Sequence, residues 1–377
     1  MKIIIALLVF TVLIVFHELG HFLLAKKNGV FVKEFSVGMG LRLVTFARFC
    51  AAGEEKKRFH FRLLAKGEYL EEEEGFREHT KYSIKLFPLG GSCAMLGEMD
   101  ALEDERSFNK KGVFARIAIV VAGPLFNFFL AFFFALIIVG SVGYDPARVL
   151  YVQPGMPFSE SGIKEGDTIT SINGTSIYFA REINAYMTFH PMDGSPMEIG
   201  YEHEGEERMA VVVPEKASDG AFRLGFSYNP AYREKTGVGG VIKSSVYEVK
   251  YWICLTVESL GKMISGDVKK EEIAGPVGVV NVIGDTYEET KSEGAWLVIL
   301  NLLNISILLS ANLGVMNLIP FPALDGGRLL FLIIEAIRRK PVPVEKEGMV
   351  HFIGFALLML LMVFIMYNDI SRIITGG

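Results

Sequence analysis

His17, Glu18 and His21 form the pattern His-Glu-x-x-His near the start of the chain. In a helix, two histidines four residues apart project from the same face and can share one zinc ion. Glu18 lies beside them, where it can take a proton from a water molecule on the metal. Because the chain has only 7 histidines in 377 residues, a chance match is expected about one time in a hundred. The pattern therefore predicts a metal-dependent hydrolase with His17 and His21 as metal ligands and Glu18 as the base.

The segment that carries this pattern is typical of a membrane helix. An apolar run begins after Lys2 and resumes behind the motif from Phe22 to Ala25. A single lysine before an apolar core also suits a signal peptide, but no small-residue cleavage site follows. A helix over residues 1–26 would cross about 30 Å of hydrocarbon, so we expect the motif to lie inside the membrane.

The composition supports a membrane protein and excludes a nucleic-acid binder. Hydrophobic residues make up 51% of the chain, the mean hydropathy is +0.35 and the formal net charge is only -5. The three cysteines, Cys50, Cys93 and Cys254, form no C-x-x-C pair, so we expect neither a disulfide framework nor a cysteine zinc site.

Three further stretches, 113–140, 295–327 and 349–370, have the length and apolar character of membrane spans. We therefore predict a polytopic α-helical membrane protein with four transmembrane helices. Lysine and arginine gather in the first and third connections, at Lys26, Lys27, Lys33, Lys110, Lys111, Arg116, Arg328, Arg338, Arg339, Lys340 and Lys346. Positively charged loops stay in the cytoplasm, so the second connection is expected outside and the metal motif near the cytoplasmic side.

The two long connections differ in character. Residues 33–97 contain alternating runs such as 58–63 and 82–87, typical of strands, and a bend at Pro88 to Ser92, so we predict a membrane-associated β-hairpin or β-loop; the acidic tract Glu71 to Glu74 is predicted to be a solvated loop. Residues 146–228 alternate short strands with one helix and form an inserted α+β domain. Residues 240–266 have apolar residues at helical spacing, which fits an amphipathic interfacial helix or a helix packed on a neighbour.

A catalytic zinc needs a third protein ligand, and Asp325 is the best candidate. Helices one and three both run from outside to inside, so Asp325 would reach the depth of His17 and His21. Pro320 and Pro322 interrupt the helix before it, which places the carboxylate on irregular backbone. Asp325, Gly326 and Gly327 could also form a simple turn after a membrane helix. His351 is a rival ligand, although a capping or surface role suits it better.

These motifs together resemble the site-2 proteases, in particular the bacterial RseP-like regulators of sigma-factor signalling. The resemblance rests on the His-Glu-x-x-His motif, on Gly123-Pro124 to Asn127, and on the stretch Asn317 to Gly327. The inserted domain resembles a PDZ domain through Pro154-Gly155, the segment Ser161 to Asp167, and Asn173-Gly174. Some relatives carry two such domains, whereas this chain has one.

The resemblance implies a bacterial cell-membrane zinc endopeptidase that cuts within or near transmembrane segments. Its substrates would be single-pass membrane proteins, such as anti-sigma factors or signal-peptide remnants. The enzyme itself would be in contact with the lipid bilayer. Gly90, Gly91 and Asn317 would clamp the substrate, and Asn127 would either bind substrate or brace the second helix. The PDZ domain would lie on the extracytoplasmic side, where it could bind a new carboxyl terminus or exclude bulky ectodomains.

Two other functions are compatible with parts of the pattern. A catalytically silent adaptor would use the PDZ-like domain for binding and the zinc only for structure. A transporter would use intramembrane Asn301, Asn304 and Asn312, but the chain lacks an obvious pair of broken helices in repeated halves. Replacing Glu18 by glutamine separates the protease from the adaptor, because only the protease needs the base.

Overall fold

The computed structural model describes residues 1–50, 56–64, 66–98, 103–266 and 275–375. Residues 51–55 and 65, which belong to the predicted hairpin region, lie outside this part of the chain. The chain divides into two compact units: Met1–Phe134 with Lys262–Gly377, and Ala135–Gly261. The predicted metal motif therefore belongs to the first unit and the predicted inserted domain to the second.

The helices are α1 (Lys2–Lys27), α2 (Gly67–Glu72), α3 (Glu74–Glu78), α4 (Val113–Val142), α5 (Pro157–Glu160), α6 (Ala180–Phe189), α7 (Val238–Ser265), α8 (Pro276–Thr290), α9 (Ala295–Leu318), α10 (Asp325–Arg338) and α11 (Val344–Thr375). Within the described residues, four of them are long and apolar enough to cross a membrane: α1, α4, α9 and residues Glu345–Asp369 of α11. These overlap the four predicted spans, because a run of about twenty apolar residues satisfies its backbone hydrogen bonds within itself when it is helical.

The first unit contains a sheet of β1 (Val32–Phe49), β2 (Arg58–Leu63) and β3 (Lys81–Met95), in the order β2-β1-β3. Both β1 and β3 bend, so that Ser36 is opposite Ser92 on one side and Ser83 on the other. The bend leaves residues 91–95 at the edge of the sheet, next to α1. We call residues 91–95 the edge segment.

Two short helices replace the predicted acidic loop. Glu71 and Glu72 end α2, and Glu74 begins α3. The prediction from charge alone was wrong because Leu70 and Phe76 are fully buried together with Ala47 and Phe49 of β1. Burial of these apolar side chains fixes the helical turns, while the carboxylates between them face outward.

The third span is shorter than predicted and is followed by an additional helix. α9 ends at Leu318, residues 319–324 form a break, and Asp325 is the first residue of α10. The expectation of irregular backbone holds for residues 319–324 but is wrong for Asp325 itself. Gly326 and Gly327 do not open a turn; they let α10 approach the break. A Cβ added at Gly326 would lie 2.1 Å from the carbonyl oxygen of Ile319, and one added at Gly327 would lie 2.3 Å from that of Phe321.

The second unit contains the inserted α+β domain. Its strands are β4 (Tyr151–Val152), β5 (Thr168–Ile172), β6 (Thr175–Ser176), β7 (Met197–His203), β8 (Glu206–Val212), β9 (Glu215–Lys216), β10 (Phe222–Arg223) and β11 (Phe226–Ser227). The main sheet has the order β6-β5-β7-β8. Ile169, Ile183 and Ile199 lie in its core, and Asn173 and Gly174, both at positive φ, form the turn between β5 and β6.

The helix predicted over 240–266 is α7, and its two faces are unusual. Its buried face is largely polar: Ser244 lies 2.9 Å from the Tyr178 hydroxyl, and Glu248 accepts a bond from Arg181. Its exposed face carries apolar side chains such as Ile242 and Val246. Packing on the inserted domain is thus observed, and interfacial binding stays a prediction.

Candidate metal centre

His17 and His21 lie one turn apart on α1, and both side chains are buried. Nε2 of one ring is 3.2 Å from Nε2 of the other. The start of α10 brings Oδ2 of Asp325 to 3.1 Å from Nε2 of His17 and 3.3 Å from Nε2 of His21. Within the described residues, these three side chains form the one cluster of histidine, cysteine or carboxylate groups able to hold a metal ion.

The three ligand atoms fit a tetrahedral zinc ion. Ligands at 2.0–2.1 Å from zinc in a tetrahedron lie about 3.3 Å from one another, which is the spacing observed here. Oδ2 of Asp325 is buried and accepts no hydrogen bond from the described residues. A buried carboxylate oxygen without a donor is costly, and a cation shared with the two imidazoles would remove that cost.

The other nitrogen of each imidazole is held by α4. Nδ1 of His21 lies 2.9 Å from the carbonyl oxygen of Ile119, which can only accept. The proton of His21 is therefore on Nδ1, and the lone pair of Nε2 points to Asp325. Nδ1 of His17 lies 3.1 Å from the side-chain amide of Asn127, which is fully buried. The nearest atom is the amide nitrogen; with the amide turned about, its oxygen accepts from Nδ1–H and fixes the same tautomer for His17.

Gly123 provides the space that the two histidines occupy. A Cβ at this position would lie 2.3 Å from Nε2 of His21 and 2.8 Å from Cε1 of His17. Gly20 of α1 faces α4 in the same way, with an added Cβ 2.3 Å from the carbonyl oxygen of Ala122. Two glycines thus let α1 and α4 approach each other at the level of the ligands.

Glu18 faces the edge segment. An added Cβ at Gly91 would lie 3.4 Å from Cγ of Glu18, and Cys93 of the edge segment lines the same cavity as Glu18. A cavity of about 490 Å³ lies here, lined by the three ligand side chains, Glu18, and backbone and side chains of the edge segment. A peptide in this cavity would lie between the sheet edge and the metal ligands.

Gly90 and Asn317 were also predicted as site residues, and neither is among the described residues that line this cavity. Gly90 is buried at φ +88, next to Met39, and begins the approach of the edge segment. Asn317 is half-buried at the end of α9 and is not among the described residues that line the cavity. His351 is not in the ligand cluster; its ring binds the backbone of Ala323.

Sequence reasoning missed two features of the site. The clearance role of Gly123 had a signal in the Gly-Pro-x-x-Asn motif, since a glycine beside a buried asparagine suggests close helix packing. Arg328 and Glu98 form an ion pair at 2.5 Å in the cavity wall. They are 230 positions apart, and no local pattern could have paired them.

The chain is similar to known proteins over nearly its whole length. Residues 5–73 and 64–361 match the family model for peptidase family M50. The zinc metalloprotease RasP of Geobacillus kaustophilus is 34% identical, over 97% of this chain and 97% of that protein. The regulator of sigma-W protease RasP of Bacillus subtilis is 30% identical, with the same coverage of both chains.

Among solved structures, the PDZ domain of the SdrC-like protein of Listeria monocytogenes is similar to 23% of this chain and covers 92% of its own chain, at 24% identity and a TM-score of 0.21. The two curated relatives decide the family, because both are at least 30% identical over almost the full length. The chain therefore belongs to peptidase family M50, the site-2 protease family, and is a zinc metalloprotease.

Proposed function

We propose that this protein hydrolyses peptide bonds within or near transmembrane segments, with zinc held by His17, His21 and Asp325 and with Glu18 as the general base. The observation that carries the proposal is the convergence of three ligand atoms within 3.1–3.3 Å of one another, two of them on the apolar helix α1 and the third at the start of α10. Ionisable groups at such depth are costly unless they are paired or bound to a metal. The complete set of ligands and base favours the protease over the silent adaptor.

Zinc bound here would polarise the scissile carbonyl and lower the pKa of its water towards neutrality. Glu18 adjoins the ligands on α1 and lines the same cavity. Its carboxylate would take the proton from the attacking water and return it to the leaving amine. The close approach of Gly91 to the Glu18 side chain would hold this carboxylate beside the ligands for both transfers.

A substrate helix must unwind before its carbonyls can be attacked, because its internal hydrogen bonds hide them. The edge segment supplies a partner for the unwound chain, since strand addition satisfies the backbone groups that unwinding frees. Gly91 would let the substrate backbone pass close to Glu18, and Gly90 and Asn317 would help to hold it. The name of the Bacillus subtilis relative, a regulator of sigma-W protease, supports single-pass membrane proteins such as anti-sigma factors as substrates; remnants of signal peptides are a second class.

The proposal places the metal centre near the cytoplasmic side of a bacterial cell membrane and the inserted domain outside. The charge distribution of the connections supports this orientation. A cavity of about 340 Å³ in the inserted domain lies between α6 and strands β10 and β11, and Met187 and Leu224 are among its apolar lining residues. A cavity of this kind can take an apolar side chain of a peptide, which favours binding of a carboxyl terminus over a role as a size filter.

The test uses the purified full-length protein with a single-pass membrane substrate. Glu18→Gln should keep one zinc per chain but lower the cleavage rate by about a hundredfold or more, because it removes the general base. His17→Ala should lose the zinc. Glu293→Gln, at an exposed site, is the control and should behave as the unaltered protein. Unchanged cleavage by Glu18→Gln would refute the base, and stoichiometric zinc in His17→Ala would refute the ligand set.

A further inference from the structure

The break between α9 and α10 must deliver Asp325 to the two histidines, and it contains a strained residue. Ala323 has a φ of +78, in the left-handed region that costs a non-glycine residue about 1–2 kcal/mol. Residues 319–324 form few backbone hydrogen bonds among themselves. The amide of Phe321 donates to the carbonyl oxygen of Ile319, and the amide of Leu324 donates to that of Phe321. Such a conformation persists only when its surroundings fix it.

One side chain from a distant helix holds this residue. Nδ1 of His351, on α11, accepts a hydrogen bond of 2.9 Å from the backbone amide of Ala323. Gly354 lies about one turn further along the same face of α11 and is buried against Pro322: an added Cβ would lie 2.4 Å from Cβ of Pro322. Two consecutive residues of the break are thus in contact with one face of α11.

This contact stands out because α11 has little other packing. Only 6% of its most apolar window is buried. A further polar contact lies at the far end, where Asp369 accepts bonds of 3.1 Å from the backbone amides of Gly275 and Gly278. A helix held mainly at its two ends can fix the break only through the residues at the near end, His351 and Gly354.

The ring of His351 is itself oriented. Its centroid lies 5.8 Å from that of Phe331 on α10. Nε2 lies 3.8 Å from a carboxylate oxygen of Glu347, and the same oxygen lies 3.8 Å from Nε of Arg328. Since Nδ1 accepts from Ala323, the neutral ring carries its proton on Nε2, on the side of Glu347.

We propose that His351 is a positioning residue: its bond to Ala323 holds the left-handed conformation that places the Asp325 carboxylate between His17 and His21. This inference rests on the proposed ligand set. His351 touches neither substrate nor metal in this role, and it acts two residues before the ligand. Loss of the bond should let the break relax and lower the affinity for zinc, as loss of outer-shell partners generally does by about ten- to a hundredfold.

The experiment measures the zinc dissociation constant of the purified full-length protein by competition with a chromogenic chelator. His351→Leu removes the acceptor and should weaken zinc binding at least about tenfold. His351→Asn places an amide oxygen near the position of Nδ1 and should stay within about threefold of the unaltered protein. Phe352→Leu, on the exposed side of α11, is the matched control and should bind normally. Where His351→Leu cannot be purified, His351→Met replaces it with the same expectation.

A second variant tests the strain directly. Glycine adopts a positive φ without cost, so Ala323→Gly should have little effect alone but should restore most of the affinity in the His351→Leu protein. Normal zinc affinity of His351→Leu, or equal weakening by His351→Asn, would overturn the positioning role of His351. Absence of rescue by Ala323→Gly would also overturn it. The ligand set fails separately: an unaltered protein without stoichiometric zinc, or normal affinity of Asp325→Asn, would overturn that proposal instead.

Discussion

Glu34 and Asp325 are two carboxylates of the first unit that are largely shielded from water, and they differ in their partners. Arg42 donates two bonds to Glu34, at 2.8 and 2.9 Å, and Ser83 donates one at 2.5 Å. Oδ2 of Asp325 faces two imidazole nitrogens and, within the described residues, accepts no hydrogen bond. A buried carboxylate that is satisfied by protein donors stabilises a fold, whereas one without donors beside two imidazoles is suited to sharing a cation with them.

The largest effect on zinc binding should come from neutralising Asp325, with Glu34 neutralised for comparison. Asp325→Asn should lower the affinity for zinc by more than about a hundredfold, because loss of a direct ligand exceeds the ten- to hundredfold cost of outer-shell changes. Glu34→Gln should leave zinc binding within about threefold, since its partners are Arg42 and Ser83 rather than the metal. Chelator competition on the full-length protein measures both. Equal loss of zinc in the two variants would erase the distinction drawn between the carboxylates.

The space around the Asp325 cluster provides a second test. Gly123→Ala adds a Cβ that would lie 2.3 Å from Nε2 of His21, so we expect zinc binding to weaken about a hundredfold, near the upper end of the outer-shell range. Gly140→Ala is the matched control on the same helix, because its added Cβ meets nothing closer than 4.0 Å. Normal zinc affinity of Gly123→Ala would mean that α1 and α4 separate at little cost and that their close approach does not fix the ligands.

Local patterns in the sequence predicted the four apolar helices and pointed to the first two candidate ligands, and the reason is physical. The four spans follow from run length, and His17 and His21 from helical spacing, which are local properties. α10 was missed because Gly326 and Gly327 read as a turn, although they serve close packing against the break. α8 was missed because its helix is held by contacts with α1 and α9, which no short window of sequence reveals.

The support of His17 was also beyond a local pattern, and it gives a third test. The amide of Asn127 lies 110 positions away in the sequence and 3.1 Å away in space. Asn127→Leu removes the amide that faces Nδ1 of His17 and should weaken zinc binding about tenfold, whereas Asn127→Asp offers a carboxylate oxygen at that place as acceptor for Nδ1–H and should stay within about threefold. Chelator competition again provides the reading. Equal weakening by both would show that Asn127 matters for packing between helices rather than for the orientation of the imidazole.

The smallest effect should appear at Glu34 when the pH is lowered. Burial acts to raise the pKa of this carboxyl, but the bonds from Arg42 and Ser83 outweigh it and hold the pKa below the ordinary value of 4.5. A depressed carboxyl contributes stability that is fully present above its unfolded pKa and is lost as the pH falls through the folded pKa. Below about pH 4.5, the unaltered protein should therefore lose thermal stability more steeply than Glu34→Gln, which has no such charge to neutralise.

The measurement is the Tm of both proteins, in the same detergent, between pH 7 and pH 3. The loss of Tm on acidification should be intermediate in steepness for Arg42→Met, because the carboxyl stays while its main partner is lost. At neutral pH the Tm of Arg42→Met should be lower than that of the unaltered protein, in line with the loss of about 1.5–3 kcal/mol for bonds to a charged group. Parallel pH profiles for the unaltered protein and Glu34→Gln would mean that Glu34 is not held in its charged form by its partners. Glu34 and Asp325 would then no longer differ in the way that separates a carboxylate of the fold from a carboxylate of the site.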